Sequence, residues 1–543
     1  MDIYLVYAPF QIILIFSLVI FAILSYKKPR FTALIFPVVL PFYLVKLYIK
    51  PKTILEDLGN PKSILDSIFS PIYQNVPVLR SDFSAGGTPV IPTNLLEILL
   101  LIFLIINWKL IWKSIHIPVL QITSYESRVV GVFLASIALL LFASVLSTIF
   151  AVNQRVALGA VKSWFVLPIL LFFALLPLLK SQKFRQKFLY SIALSGMAVT
   201  LMSLPFILFN LYTYDDRMTG ILLSPNHMAM AITPGLLALM ILLFAHGNPM
   251  KFSAWDFIGN LPAQPTRTTS SRAEQVGWKL EIGNFKNFIN DKVLYFLTYV
   301  LLVIEMSLLY LTYSYGAWIG LLAATILIIS ISSKSQIPIT DKAPISKLQL
   351  KINWKLTLLF VTAIVIITSQ LNNSKLSNII HGNYYSSLHS RVMVWQSALA
   401  LSRDRWLLGV GADNFQQAYL NYASHFKEPY IEWAVPMPHN IFLAFLVQLG
   451  AIGLMSFVLI IILTLTRIIN PKSQTQIGNW KLKLDPLSLW AFLYLVYIII
   501  HGLIDTPYFK NDLAIVFWLA IAAIWSLNSI HPIDRESRLR RMM

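Results

Sequence analysis

The chain has 543 residues, 57% of them hydrophobic and 12% charged, and contains no cysteine. A soluble domain carries about a quarter charged residues, so this composition belongs to a chain whose main solvent is lipid. Disulfides, Cys-based metal sites and thiol catalysis are excluded, and the net charge of +19 would point to nucleic acid only if it gathered on one soluble face.

The N-terminal stretch MDIYLVYAPFQIILIF lacks a basic n-region and a small-residue cleavage site and reads as a retained first span. Apolar runs long enough to cross a hydrocarbon core of about 30 Å recur along the whole chain. They predict thirteen spans at about 4–25, 31–49, 94–107, 129–150, 163–179, 188–210, 226–246, 293–312, 316–333, 356–371, 439–466, 487–505 and 512–529, the third running on to Trp112 if extended. The fold class is therefore an all-α polytopic membrane protein of 12–13 transmembrane helices, one domain over 1–543. Three segments interrupt the pattern: a Pro- and Gly-rich loop at 50–93, a flexible linker at 247–291, and a long segment at 372–438 with a helical pattern of its own. Long loops of the last kind usually carry function.

Sorting the 43 Lys and Arg by alternate loops puts 29 on one side and 13 on the other, with Lys46 inside a span. The basic side is cytoplasmic by the positive-inside rule. The C-terminus is then inside, the N-terminus outside, and both 50–93 and 372–438 face outward. KSQKFRQK at 180–187 and the tail with Arg535, Arg538, Arg540 and Arg541 become orientation signals and lipid contacts, not a nucleic-acid face.

Candidate chemistry gathers at outer helix ends. Arg391, Trp395, Ala398 and Ser402 share one helix face, by offsets of four, seven and eleven. That spacing fits an Arg gripping a phosphate, and it also fits an interfacial helix with a snorkelling Arg and a Trp anchor. His439 follows Pro436, Met437 and Pro438 and opens a span. With Pro438 at the first helical position, the helix dipole favours neutral imidazole, as a general base requires, although a capping or packing His fits the place equally. Asn440 is placed to orient the ring or bind a sugar hydroxyl. Ser224, Pro225 and Asn226 start another span from the same side, with Arg217 and Gly220 just before it; an anion could dock there, or the Arg could simply be solvated. His501 and Asp505 are four residues apart, so the carboxylate can reach the imidazole, or the pair can mark a helix end before Pro507. Glu97 and Glu305 lie within spans and are assigned no role. No metal-ligand spacing, Walker-type loop or inverted repeat appears.

The densest segments, SRVMVWQSALALSRDRWLLGVGADNFQQAY and PHNIFLAFLVQLGAIGL, with RMTGILLSPNHMA before and HGLIDTPYFKNDLAIVFW after, resemble the O-antigen ligase and O-antigen polymerase superfamily of bacterial membrane glycosyltransferases. The likeness runs from LPFYLVKLYI to DLAIVFW. It implies a GT-C-like membrane fold and transfer of a glycan from an undecaprenyl diphosphate carrier to a lipid, glycan or protein acceptor on the outer face of the inner membrane. No cofactor, metal or nucleotide sugar is implied. The resemblance assigns catalysis to Arg391 and His439. Arg217, Asn226, Trp395, Asn440, His501 and Asp505 become substrate-binding candidates, and Trp433, Tyr384 and Tyr385, with Trp395, possible sugar platforms. A ligase is the leading expectation; a polymerase or a protein-glycosylating enzyme of the same superfamily is the alternative, and a lipid-linked sugar transporter the alternative of another class. Two departures stand out: Tyr315 replaces the Arg of the family's Ser-Arg-Gly-Ala segment, leaving Arg217 as a possible substitute, and one N-terminal span exceeds the usual twelve.

Overall fold

The computed structural model describes residues 8–44, 46–47, 93–115, 125–213, 217–222, 224–245, 291–334, 387–422, 435–469 and 484–527, with five isolated positions between 361 and 369. The linker 247–291 apart from its last residue, nearly all of 50–93, and Tyr384, Tyr385 and Trp433 lie outside these residues.

In chain order the helices are α1 (Ala8–Lys27), α2 (Pro29–Val38), α3 (Leu95–Ile106), α4 (Trp108–Ile115), α5 (Tyr125–Ile149), α6 (Gln154–Val161), α7 (Leu167–Leu175), α8 (Gln182–Leu208), α9 (Pro225–Ala245), α10 (Asp291–Leu311), α11 (Tyr315–Lys334), α12 (Ser387–Asp404), α13 (Phe415–Tyr422), α14 (Ile441–Ile469), α15 (Pro486–His501) and α16 (Asn511–Trp525). The one described sheet pairs β1 (Lys46–Leu47) with β2 (Thr93–Asn94), antiparallel. The protein is an all-α, multi-pass membrane protein, as its composition requires: backbone in lipid must satisfy its own hydrogen bonds, which a helix does internally.

Among the described residues five helical stretches are long and apolar enough to cross a membrane, and α3 with α4 adds a sixth whose halves are bent by 68°. Shorter apolar helices, among them α11, α15 and α16, complete the bundle. The expected span at 31–49 is not one helix: α2 ends at Val38, and a 3₁₀ turn at Leu40–Leu44 follows. Pro37 and Pro41 punctuate that run, which hydropathy alone does not register.

A polar clasp fixes one end of the bundle. Arg185, 1% exposed, donates to both oxygens of Asp485 at 3.0 and 2.8 Å, to Ser488 at 2.6 Å and to the Ala523 carbonyl at 3.0 Å. This Arg of the KSQKFRQK stretch is therefore a buried tie between α8, α15 and α16, not a surface orientation signal. Glu97 is likewise paired, to Lys162 at 2.6 Å and to Asn511 at 3.2 Å. Glu305 is fully buried against Gly196 and Gly235, where α8 and α9 cross at backbone contact.

α14 is broken. Gly450 has φ 68° and ψ −171° inside its 29 residues, a backbone that L side chains avoid. The break releases two carbonyls and an N–H that the loop after α12 then uses: Val410 N–H donates to Val447 O at 2.8 Å, Gly411 N–H to Gln448 O at 3.0 Å, and Ala451 N–H to Trp406 O at 2.7 Å. Gly409 and Gly411 supply the positive φ values, 70° and 93°, that let this loop turn. A second apolar core seals the joint, with Val394, Ala398 and Leu401 of α12 packed on Phe415, Tyr419 and Val447.

Candidate active site

At the bundle end opposite the Arg185 clasp, α14 begins beside the end of α15. Asn440 caps it: its side-chain oxygen accepts from Phe442 N–H and Leu443 N–H, both at 3.0 Å, and its amide donates to Leu503 O at 2.9 Å. The Ile441 N–H donates to Gly502 O at 2.7 Å. Pro438 is therefore not the first helical residue, because Asn is the stronger N-cap and takes the junction two positions later. The Asn440 oxygen is engaged by backbone and its amide donates one N–H to backbone, which leaves a second N–H donor on the same nitrogen.

His439 sits just before this cap with φ 48°, a left-handed conformation uncommon for a non-Gly residue and found disproportionately at functional sites. Its Nδ1 is 3.5 Å from Asp505 Oδ1, and its carbonyl accepts from Trp395 Nε1 at 3.3 Å. Arg391 approaches the other oxygen of the same carboxylate at 3.9 Å. Two sequence candidates thus converge on a third, Asp505, whose side chain is 5% exposed while those of Arg391 and His439 are 21% and 23% exposed.

Asp505 lies in the turn after α15, where Thr506 N–H donates to it at 2.8 Å. Burial by itself would raise its pKa, but the hydrogen bond and charge of His439, with His501 and Arg391 adding to them, hold the carboxyl well below the usual carboxylate range.

His501 and Asp505 act on each other through charge and not through a side-chain hydrogen bond. α15 ends at His501, one turn earlier than hydropathy suggests, and the turn that follows swings the carboxylate toward His439 and Arg391. His501 Nδ1 bonds the Tyr497 hydroxyl at 2.7 Å instead. Its ring lies over Gly316, where a Cβ would stand 2.6 Å from His501 Cδ2. Replacing this glycine would force the imidazole out of place.

Arg217 and Asn226 form a second group. The Arg217 Nε–H donates to Thr312 O at 2.8 Å and an Nη–H to Asn226 Oδ1 at 2.6 Å. The charge of Arg217 acts on the Tyr315 hydroxyl, so a guanidinium stands near the residue that replaces the family's Arg. Tyr315 and Gly316 in turn join this group to His501.

Sequence reasoning passed over a buried triad next to it. His227 Nε2 is 3.0 and 3.2 Å from the oxygens of Asp512, and its Nδ1 is 3.3 Å from the Tyr43 hydroxyl. It joins α9, α16 and the 3₁₀ turn after α2, which no local spacing reveals. The one available signal was the His beside Asn226 in SPNH. Among the described residues no group of three or more His, Asp and Glu is placed to hold a metal ion.

Residues 298–458 match the O-antigen ligase family model. The match takes in Tyr315, Arg391, Trp395, His439 and Asn440, and stops short of His501 and Asp505 on one side and Arg217 on the other. No curated protein matches the chain. The match over 298–458 supports the O-antigen ligase and polymerase superfamily and an activity of that general type.

Proposed function

We propose that the protein is a metal-independent glycosyltransferase that moves a glycan from an undecaprenyl diphosphate carrier to an acceptor hydroxyl on the outer face of the inner membrane. The observation that carries this reading is the convergence of Arg391 and His439 on one buried carboxylate, Asp505. The leaving group is already good, so the protein has to orient the partners, neutralise charge and remove a proton.

His439 Nδ1 faces Asp505. In the tautomer with hydrogen on Nδ1, Nε2 at the other edge of the ring is the base. The acceptor oxygen attacks the anomeric carbon, its proton passes to Nε2, and the bond to the diphosphate oxygen breaks with its electron pair leaving on the carrier. Attack from the face opposite the carrier inverts the anomeric centre. Arg391 lies beyond hydrogen-bond distance of Asp505 at 3.9 Å, so its forked donors remain available for a diphosphate. Arg217 supports it as a second cation, Asn226 holds Arg217 in place, and Trp395 fixes the His439 backbone and lines the sugar side.

Incubation of purified protein with a defined diphosphate-linked glycan and separate lipid, glycan and protein acceptors tests the activity and sorts ligase from polymerase from protein glycosylation. Failure with every acceptor, in conditions where the carrier binds, removes the proposal. Arg391→Lys is the sharper test of the site. Lysine keeps the charge but loses the fork, so both it and Arg391→Ala are expected to lower transfer roughly 10- to 100-fold. Wild-type turnover by a folded Lys variant would return Arg391 to the role of interfacial anchor.

Orientation is tested separately. Because the chain has no cysteine, a single Cys at Ser424 should react with an impermeant thiol reagent from outside, and one at Ser271 only after permeabilisation. Both positions lie outside the described residues. The reverse pattern overturns the outer-face assignment.

A further inference from the structure

The bundle end that carries the Arg185 clasp also carries α4, which is bent 68° away from α3 and divides into three sectors. Leu110 and Ile111 pack on the core, and Ser114 Oγ donates to the Phe173 carbonyl at 2.7 Å, so this sector faces protein. Trp108 and Trp112, 53% and 58% exposed with ring centroids 6.2 Å apart, form the second. Lys109 and Lys113, both exposed, form the third. Helical spacing places the lysines beside the indoles on the outward side.

The end of α1 meets the bend between α3 and α4. Asn107, at the bend, donates to Ser25 O at 3.1 Å, and two residues beyond Ser25 the exposed cations Lys27, Lys28 and Arg30 follow. Five cations therefore gather around one bend. Residues 14–38 and 95–115 contain one acid, Glu97, and it is paired to Lys162 near the far end of α3. The cluster is thus not neutralised within its own elements. Exposed indoles next to cations that their own elements do not neutralise match a molecule with acyl chains below and an anionic head above.

We propose that the α1–α2 junction and α4 form a binding site for an acidic phospholipid, its phosphate taken by Lys27, Lys28, Arg30, Lys109 and Lys113 and its acyl chains lying against Trp108 and Trp112. The head-group phosphate is the recognised group, so zwitterionic lipids, whose head carries its own cation, bind less well.

The full-length protein is equilibrated in mixed bilayers of phosphatidylglycerol and phosphatidylcholine, extracted and weighed by native mass spectrometry. The wild type is expected to retain phosphatidylglycerol preferentially. Lys109→Ala with Lys113→Ala should lower that retention by roughly fivefold per lysine, whereas Lys→Arg at both positions keeps it. Arg155→Ala with Arg403→Ala, which removes two exposed cations elsewhere, should leave it unchanged. Equal retention of the two lipids by the wild type, or equal losses in the two Ala pairs, overturns the proposal. Should the Ala pair not fold, phosphatidylglycerol with brominated chains gives a second readout. It is expected to quench the wild type more than Trp108→Phe with Trp112→Phe, and identical quenching rejects the site.

Discussion

His439→Ala is expected to lower the transfer rate by about 10² to 10⁴, the usual worth of a general base, while carrier binding stays close to wild type. The structural reason is the division of the imidazole: one nitrogen is directed at Asp505 at 3.5 Å, and the other is left for the acceptor. Alanine would also be mildly strained at φ 48°, since a Cβ without polar compensation disfavours the left-handed region. His439→Asn separates the two effects. Asn tolerates that backbone but is no base, so it should lose as much activity as Ala while melting at the wild-type temperature. A rate measurement at saturating acceptor, with a carrier-binding assay beside it, decides the matter. Full turnover by the Asn variant would end the base assignment. The contribution of Asp505 to stability should be present above its unfolded value of about pH 4 and be lost only as the pH falls toward its lower folded value.

Gly450→Ala is expected to abolish or severely weaken folding, by more than about 3 kcal/mol. Two costs coincide. The new Cβ would lie 2.0 Å from the Leu407 carbonyl oxygen, with a backbone nitrogen, that of Leu408, at 2.5 Å, and neither can rotate away as a side chain does. The residue must in addition hold φ 68°, worth about 1–2 kcal/mol against any L side chain. Gly159→Ala is the matched control, because nothing stands within 4 Å of its added carbon and helix propensity favours Ala by up to about 1 kcal/mol. Thermal unfolding and the yield of monodisperse protein in detergent compare the two. Equal melting temperatures would mean that the joint between α14 and the 406–411 loop does not hold the fold together.

The membrane-spanning pattern was legible because hydrophobicity over about twenty residues is a strong, local signal, and α5, α8, α9 and α14 lie where it puts them. Arg391 and Trp395 were legible for a similar reason, since helical offsets are fixed geometry. What escaped was set by helix ends and by distant partners. Hydropathy carried the α15 span through to Asp505, whereas the helix stops at His501, and that single turn decides which residues the carboxylate meets. The capping role of Asn440 depends on where its helix starts, which the two N–H groups of Phe442 and Leu443 show and hydropathy does not. Arg185 was one cation in a basic run until its contacts with α15 and α16 distinguished it. Gly450 sits in an unbroken apolar stretch, and its break answers to the Trp406–Gly411 segment about forty residues earlier.

That break gives the site a lever. Arg391 stands on α12 and His439 at the head of α14, and the two arms are fastened where Trp406, Val410 and Gly411 bond Ala451, Val447 and Gln448. Gly450 is eleven residues from His439 and Trp406 is fifteen from Arg391, so each group rides some 15–25 Å from the fastening if its arm were helical throughout. A tilt of a few degrees about such a pivot shifts the arm tips by an ångström or two. The bond from Trp395 Nε1 to the His439 carbonyl, made at those same tips, resists such a tilt and holds the spacing of cation and imidazole.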